Sequence, residues 1–243
     1  MKLDERLSLC AEFVRQGAKT ADIGTDHAYL PVYLVQSGRT DFAVAADVRV
    51  GPLENARGNI AESGLENKIK TVLSDGLEKI SPDEAEDIVI AGMGSELMIR
   101  IIEAAPWLRD STKHLILQPM TRAEQLREYL CRRGFRIESE KACISCKKTY
   151  SVMLCIYDGI VRDCDDHFRY IGMLENDPGY EAKRYIYVIT EKLRKKLRGF
   201  QPGTDEYVRT ERLINEFSTL CPEQSAYAEI NGGEENDSGK GNI

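Results

Sequence analysis

The sequence predicts an α/β fold in which a mostly parallel sheet carries helices on both faces and is followed by a smaller helical region. Three observations predict it. Between residues 20 and 133, short apolar runs alternate five times with stretches of helical periodicity. Those runs are continuous rather than alternating, which marks strands buried on both faces. Two further β-rich stretches then follow with no helix between them, so they must pair antiparallel.

Leu3, Leu7, Cys10 and Val14 recur at helical spacing and predict an amphipathic helix over residues 3–16, ended by Gly17. Thr20 to Ile23 is the first strand and runs into Gly24-Thr25-Asp26-His27-Ala28. A helix follows from Tyr29 to Gln36, with Pro31 tolerated in its first turn. Phe42 to Ala46 is the second strand, ending at Asp47, and Gly51-Pro52 opens a helix that reaches Ser63-Gly64. Ile69 to Leu73 is the third strand, ending at Ser74-Asp75-Gly76. Asp87 to Ala91 is the fourth, ending at Gly92-Met93-Gly94-Ser95, with a helix from Glu96 to Ala104. His114 to Leu117 is the fifth, ending at Gln118-Pro119, and a helix runs from Thr121 to Arg133. Phe135 to Ala142 and Tyr150 to Tyr157 form the antiparallel pair, joined by a Lys147-Lys148 turn. A parallel α/β sheet finished in this way is the outline of the Rossmann-like methyltransferase fold.

Beyond Gly159 the pattern becomes helical. A short helix is expected over Tyr170 to Glu175 and a longer one over Glu181 to Leu197, with Tyr185, Val188, Ile189, Leu193 and Leu197 as its apolar positions. After a Pro/Gly turn, Tyr207 to Leu220 returns, making an antiparallel hairpin. The expected organisation is a catalytic domain over residues 1–158, a helical domain over 159–226, and a disordered acidic tail over 227–243.

Composition narrows the class. No run approaches the ~18 to 20 apolar residues that span a bilayer, and Met1 to Arg6 lacks the apolar core of a signal peptide. No membrane association and a cytoplasmic location are therefore expected. The 7 cysteines are scattered, as befits free thiols in a reducing compartment. Cys143 and Cys146 form a CxxC with no second such pair, and the chain has 3 histidines, so we read them as strand or hairpin thiols and expect no metal. The net charge of −7 argues against a nucleic-acid partner only at first sight, because part of it lies in the acidic tail and a global charge does not fix one local face.

Open α/β sheets bind ligands at the carboxyl ends of their strands. A dehydrogenase needs GxGxxG after the first strand to cradle a diphosphate. Here only Gly24 is present, and Asp26 fills the next glycine position, where its charge repels phosphate. S-adenosylmethionine carries a sulfonium cation and no phosphate, so carboxylates at Asp22 and Asp26 suit it. The donor is expected against Asp22, Gly24, Thr25 and His27, with Asp47 on its ribose hydroxyls, Asp75 on its adenine amino group, and Gly76 and Leu77 beside the ring. Ala91 and Gly92 let ligand and backbone approach closely, Met93 lies beside the transferred methyl, and Gln118 offers an amide.

Several of these strings resemble one family. Ala21-Asp22-Ile23-Gly24-Thr25-Asp26-His27-Ala28-Tyr29-Leu30-Pro31 looks like the signature of the bacterial tRNA (adenine-N1)-methyltransferases that act on position 22. So do Gly51-Pro52-Leu53 with Ala56, Asp75-Gly76-Leu77, Ile90-Ala91-Gly92-Met93-Gly94 and Leu115-Ile116-Leu117-Gln118-Pro119. The likeness covers about residues 1 to 158, and the helical extension fits as well. The chain departs from the family at Ser95, where glycine is usual, at Met120, where asparagine is usual, and at Asp47, often glutamate.

The resemblance implies direct in-line transfer to adenine N1 in tRNA. That nitrogen is largely unprotonated at neutral pH and needs no strong base. Asp26 is the candidate for stabilising the cationic product, with His27 orienting it or touching the base, while Gly92, Met93 and Gln118 frame the reacting atoms. Tyr29 or Met93 is the candidate stacking partner for the base. Lys183, Arg184, Lys192, Lys195, Lys196 and Arg198 form a basic stripe suited to gripping tRNA phosphates. The residues also leave open a methyltransferase of the same fold acting on a small molecule or protein, and a non-catalytic RNA-binding module.

Overall fold

The computed structural model describes residues 2–221. Its sheet contains β1 (Thr20–Ile23), β2 (Ala43–Asp47), β3 (Ile69–Leu73), β4 (Asp87–Gly94), β5 (His114–Thr121), β6 (Phe135–Ser145) and β7 (Lys148–Tyr157). They lie in the order β3-β2-β1-β4-β5-β7-β6. The first five strands are parallel, and β7 runs antiparallel to both β5 and β6. Around the sheet pack α1 (Glu5–Phe13), α2 (Tyr29–Gln36), α3 (Val50–Glu62), α4 (Ser95–Glu103) and α5 (Ala123–Arg132).

Successive residues of β4 explain the two covered faces. Ile88 and Ile90 join a core with Met98, Ile101 and Ile102 of α4 and Leu126 and Leu130 of α5. Val89, between them, joins Leu9, Cys10 and Val14 of the α1 region and Leu30 and Leu34 of α2. Apolar side chains on both sides of one strand require a helix layer on each side, as the unbroken apolar runs predict.

Several boundaries differ from expectation. β4 continues to Gly94 and β5 to Thr121, because the pairing resumes at Met93↔Pro119 and Gly94↔Thr121 after register shifts around Gly92. The β6–β7 turn is Cys146-Lys147 rather than Lys147-Lys148. Both residues have positive φ (47° and 64°), the backbone that a two-residue hairpin turn demands. Cys143 is accordingly a buried strand thiol and Cys146 an exposed turn residue.

The C-terminal part comprises α6 (Asp166–Ile171), a 3₁₀ turn over Gly172–Asn176, α7 (Tyr180–Leu197) and α8 (Asp205–Leu220). The short helix starts earlier than expected because the Asp165 side chain caps it by accepting from the Phe168 amide at 2.8 Å. α8 starts at Asp205 because Thr204 caps it in the same way. The two long helices run antiparallel: the Cys221 thiol, at the end of α8, reaches the Lys183 carbonyl near the start of α7. Ile186, Leu193, Leu213, Ile214 and Phe217 fill the space between them.

A buried cation docks this helical part on the sheet. Arg127 of α5 is wholly buried and donates to Glu140 of β6 through Nη2 (2.7 Å) and Nε (3.2 Å). It also donates to the carbonyls of Arg169 (2.7 Å) and Tyr170 (3.0 Å) and to the Tyr185 hydroxyl of α7 (3.2 Å). One side chain thus ties α5, β6, α6 and α7 together. The acidic tail expected over residues 227–243 lies outside the described residues.

Candidate active site

From β1 the chain builds the sheet in one direction through β2 and β3 and then in the other through β4 and β5. This switch point lies at the carboxyl ends of β1 and β4, and the crevice at such a point is the place where open α/β sheets take ligands. The residues there fall into a β1–β3 half and a β4–β5 half.

On the first half, Gly24 and Thr25 both donate to the Ala46 carbonyl (2.8 and 2.9 Å), which turns the chain sharply as it leaves β1. Gly24 has φ +79°, and a Cβ there would overlap the terminal methyl of Met93. Glycine therefore lets the loops after β1 and β4 meet, with the Met93 methyl packed where a Cβ would stand. The Thr25 hydroxyl accepts from the Ala28 amide (3.1 Å) at the start of α2 and bonds the Asp22 carboxylate. Asp22 is only 7% exposed. Burial pushes its carboxyl up to about 6, the Thr25 hydrogen bond works against that rise, and Asp47 adds to it.

Asp26 and His27 stand at the loop's tip, with the carboxylate 3.3 Å from His27 Nε2 and 68% of its side chain exposed. The His27 ring stacks on Tyr29 at 5.0 Å and 15°. Its carbonyl accepts from Asn59 of α3 at 2.9 Å, which holds the loop in place. Asp47 is buried at the end of β2 and accepts from the Arg49 amide at 2.8 Å. Asp75, beyond β3, is exposed and lies 3.8 Å from Arg100. Gly76 packs against Ile101, and the Leu77 side chain is buried in the core beneath it.

On the second half, Ala91 is partly buried and Gly92 is exposed where β4 ends. Gln118 departs from its expected place in the open cleft. It is fully buried, its Oε1 accepts from the Gly92 amide at 3.0 Å, and its Nε2 donates to the Pro119 carbonyl at 3.1 Å. Its amide is spent on holding the Gly92 backbone, which makes it a positioning residue. Ser95 is buried as well, donating to the Thr121 carbonyl at 2.8 Å, whereas Met120 is exposed.

Reading strand ends misses Arg6. From α1 it reaches over the ends of β4 and β5, with Nη1 3.4 Å from both Gln118 Oε1 and Met120 Sδ. A signal was present: Arg6 occupies the i+3 position of the Leu3, Leu7, Cys10 face, where a charge has no business in a simple core helix.

The basic stripe is corrected at one position. Lys192, Lys195 and Lys196 are exposed on α7, as is Arg198 just after it, and Lys183 is partly so, but Arg184 is 1% exposed, with its guanidinium over the Tyr187 ring at 5.4 Å. α7 packs against both the sheet and α8, so its buried arc takes in Ala182, Arg184, Tyr185 and Ile186 together. Arg184 cannot meet a phosphate there.

Residues 3–153 match the family model of a methyltransferase domain. The chain is 38% identical over 167 residues to the tRNA (adenine(22)-N(1))-methyltransferase of Bacillus subtilis (strain 168), which covers 66% of this chain and 70% of that relative. The chain belongs to the tRNA (adenine(22)-N(1))-methyltransferase family. Two solved structures share the architecture. M. capricolum TrmK in complex with S-adenosyl-homocysteine is 26% identical with a TM-score of 0.76, covering 91% of this chain and 99% of that one. Streptococcus pneumoniae Sp1610 in complex with S-adenosyl-L-methionine is 30% identical with a TM-score of 0.74, covering 90% and 100%. Asp22 and Asp47 end the neighbouring strands β1 and β2, and Asp75 follows β3.

Proposed function

We propose that this chain transfers a methyl group from S-adenosylmethionine to N1 of adenine 22 in tRNA. The observation that carries this reading is the switch-point crevice. Gly24 lets the loops after β1 and β4 meet there, carboxylates stand at or just beyond the ends of β1, β2 and β3, and the glycine pattern that a diphosphate would need is absent. The resident donor, when bound, supplies an electrophilic methyl group on a sulfonium.

The chain's own residues then do the following work. Asp47 takes the ribose hydroxyls and Asp75 the adenine amino group of the donor, while Gly24, Thr25 and Ala91-Gly92 meet it with backbone. Gln118 fixes the Gly92 amide and so sets the wall beside the reacting atoms. Asp26, accessible and paired with His27, faces the positive charge that develops on the adenine ring. Holding the two reactants in line accounts for most of the rate, an effect worth roughly 7–11 kcal/mol at its limit.

The domain over residues 1–158 carries this chemistry, and the helical domain from 159 onward grips tRNA phosphates through Lys183, Lys192, Lys195, Lys196 and Arg198. The reaction takes place in the cytoplasm with tRNA as its substrate. In keeping with that location, no described helix is long and apolar enough to cross a membrane.

The test is transfer from labelled S-adenosylmethionine to unmodified tRNA transcripts, with the modified nucleoside and its position identified. N1-methyladenosine at position 22 is expected. Binding of the donor with no transfer to any transcript in a full set would refute the tRNA reading.

A further inference from the structure

We infer that Arg6 clamps the backbone phosphate beside the target nucleotide, and that the RNA strand leaves the cleft along the groove between the β5–β7 end and α7. The inference rests on the tRNA reading above and adds to it the path of the strand and the residue that pins it.

Arg6 has one anionic partner, Asp4, and donors to spare. The Asp4 side chain accepts from its Nη2 at 2.6 Å, but the other oxygen of Asp4 is spent on the Leu7 amide (2.9 Å) as the cap of α1. The remaining contacts of Arg6 are an amide oxygen and a thioether, both at 3.4 Å, and the Tyr150 ring at 5.5 Å. A guanidinium has five donors and pairs most strongly with carboxylate or phosphate. With 23% of its side chain exposed, Arg6 can still receive one.

Its location limits what that anion can be. Nη1 lies 3.9 Å from the point where a Cβ on Gly92 would stand, so the charge sits beside the methyl-transfer crevice. Asp4 balances the charge on the Nη2 side, while Nη1 faces Gly92 with only an amide oxygen and a thioether as partners. A phosphate is a stronger partner for those donors, and a nucleotide turned into the crevice brings one with it.

The groove gives the strand a way out. It starts at Met120 and Tyr150, next to Arg6, and runs to Val188 and Lys192 of α7. A thioether and a phenol along the floor suit stacked bases, which need no particular sequence. Glu124 lies in the same groove and disfavours phosphate midway, so the phosphates belong at the two cationic ends, Arg6 and Lys192.

The experiment compares wild type, Arg6→Gln, Arg6→Lys and Lys192→Gln in the full chain. It records tRNA binding across a KCl series, calorimetric binding of S-adenosylmethionine, and melting temperature. Arg6→Gln is expected to weaken tRNA binding about tenfold and to lower the slope of log K against log salt by about 0.7 to 0.9, the loss of one phosphate contact. Donor affinity should stay within twofold, and Arg6→Lys should restore most of the slope. Lys192→Gln, far from α1, should lower the slope equally. A salt slope unchanged in Arg6→Gln, or donor binding weakened while tRNA binding is kept, overturns the clamp; an unchanged slope in Lys192→Gln overturns the path. A wild-type protein that neither binds nor methylates tRNA overturns the functional reading together with this inference, whereas intact wild-type methylation isolates the failure to Arg6.

Discussion

Gly24→Ala puts a single methyl group where the Met93 methyl now packs and tests whether this part of the switch point is the donor site. At φ +79° an L-residue pays about 1–2 kcal/mol for the left-handed backbone. The new Cβ also falls far inside the ~3.5–4.0 Å of carbon–carbon contact with the Met93 terminal methyl. Methionine is flexible, so Met93 swings away at the cost of an off-rotamer torsion, about 0.5–1.5 kcal/mol. The sum is about 2 kcal/mol, which lowers the melting temperature of a chain this long by about 4–8 °C.

The effect on binding is separate and larger in kind. The methyl group occupies the space where donor and backbone meet, and the displaced Met93 closes the opposite wall. S-adenosylmethionine affinity should fall at least tenfold, about 1.4 kcal/mol, by calorimetry at a temperature where both proteins are folded. Gly24→Ala/Met93→Ala separates the causes: removing the Met93 side chain should recover the torsional part of the stability loss and leave the backbone part. A folded Gly24→Ala protein that binds the donor as tightly as wild type would refute the assignment of this crevice.

Three other outcomes follow from the same geometry. Glu140→Gln leaves the wholly buried Arg127 without its countercharge and should destabilise the fold by about 3–5 kcal/mol in chemical denaturation; a loss below 1 kcal/mol would show that the carbonyls of α6 suffice to hold the arginine. His167 links Glu175 (2.7 Å) and Glu216 (3.3 Å), and although burial works against it these carboxylates leave its pKa raised. A raised folded-state pKa means stability present in full below the unfolded value of 6.5 and lost as pH rises through the folded value, so the gap in melting temperature between wild type and His167→Gln should be widest near pH 6 and close in alkali. Asp47→Ala should weaken donor binding, whereas Asp26→Ala should leave it mostly intact and slow transfer; equal, full activity in both variants would remove both assignments.

The fold was legible because its strands are buried on both faces and its helices are amphipathic, two patterns that burial alone imposes. β1 and α2 lie where the apolar runs and Gly24 put them. What escaped was decided by partners distant in sequence. Gln118 reads as a free amide at a strand end, yet its role depends on the Gly92 amide, which the β4–β5 pairing brings within 3.0 Å. Arg184 reads as one more cation of a basic helix, and only the docking of α7 on both sheet and α8 buries it. Nothing in the local sequence announces the carboxylate and carbonyls that surround Arg127. Periodicity tells which face of an element is covered, but not by what.

The distribution of charge resolves the conflict between an acidic chain and a polyanionic substrate. The carboxylates near the crevice, Asp22, Asp47 and Asp75, follow strands β1 to β3, on the side where a sulfonium-bearing donor belongs. Cations border the other side: Arg6 over the end of β4, and Lys192, Lys195 and Lys196 on α7. The switch point separates the two, and the proposed function assigns the donor to the negative side and the RNA to the positive side. Arg127 fixes α7 against the sheet from a position with no solvent, and salt screens a buried pair far less than an exposed one. The orientation of the basic face is thereby set by an interaction that ionic strength scarcely alters. Phosphate contacts made by the exposed lysines, as proposed above, would be steeply salt-dependent.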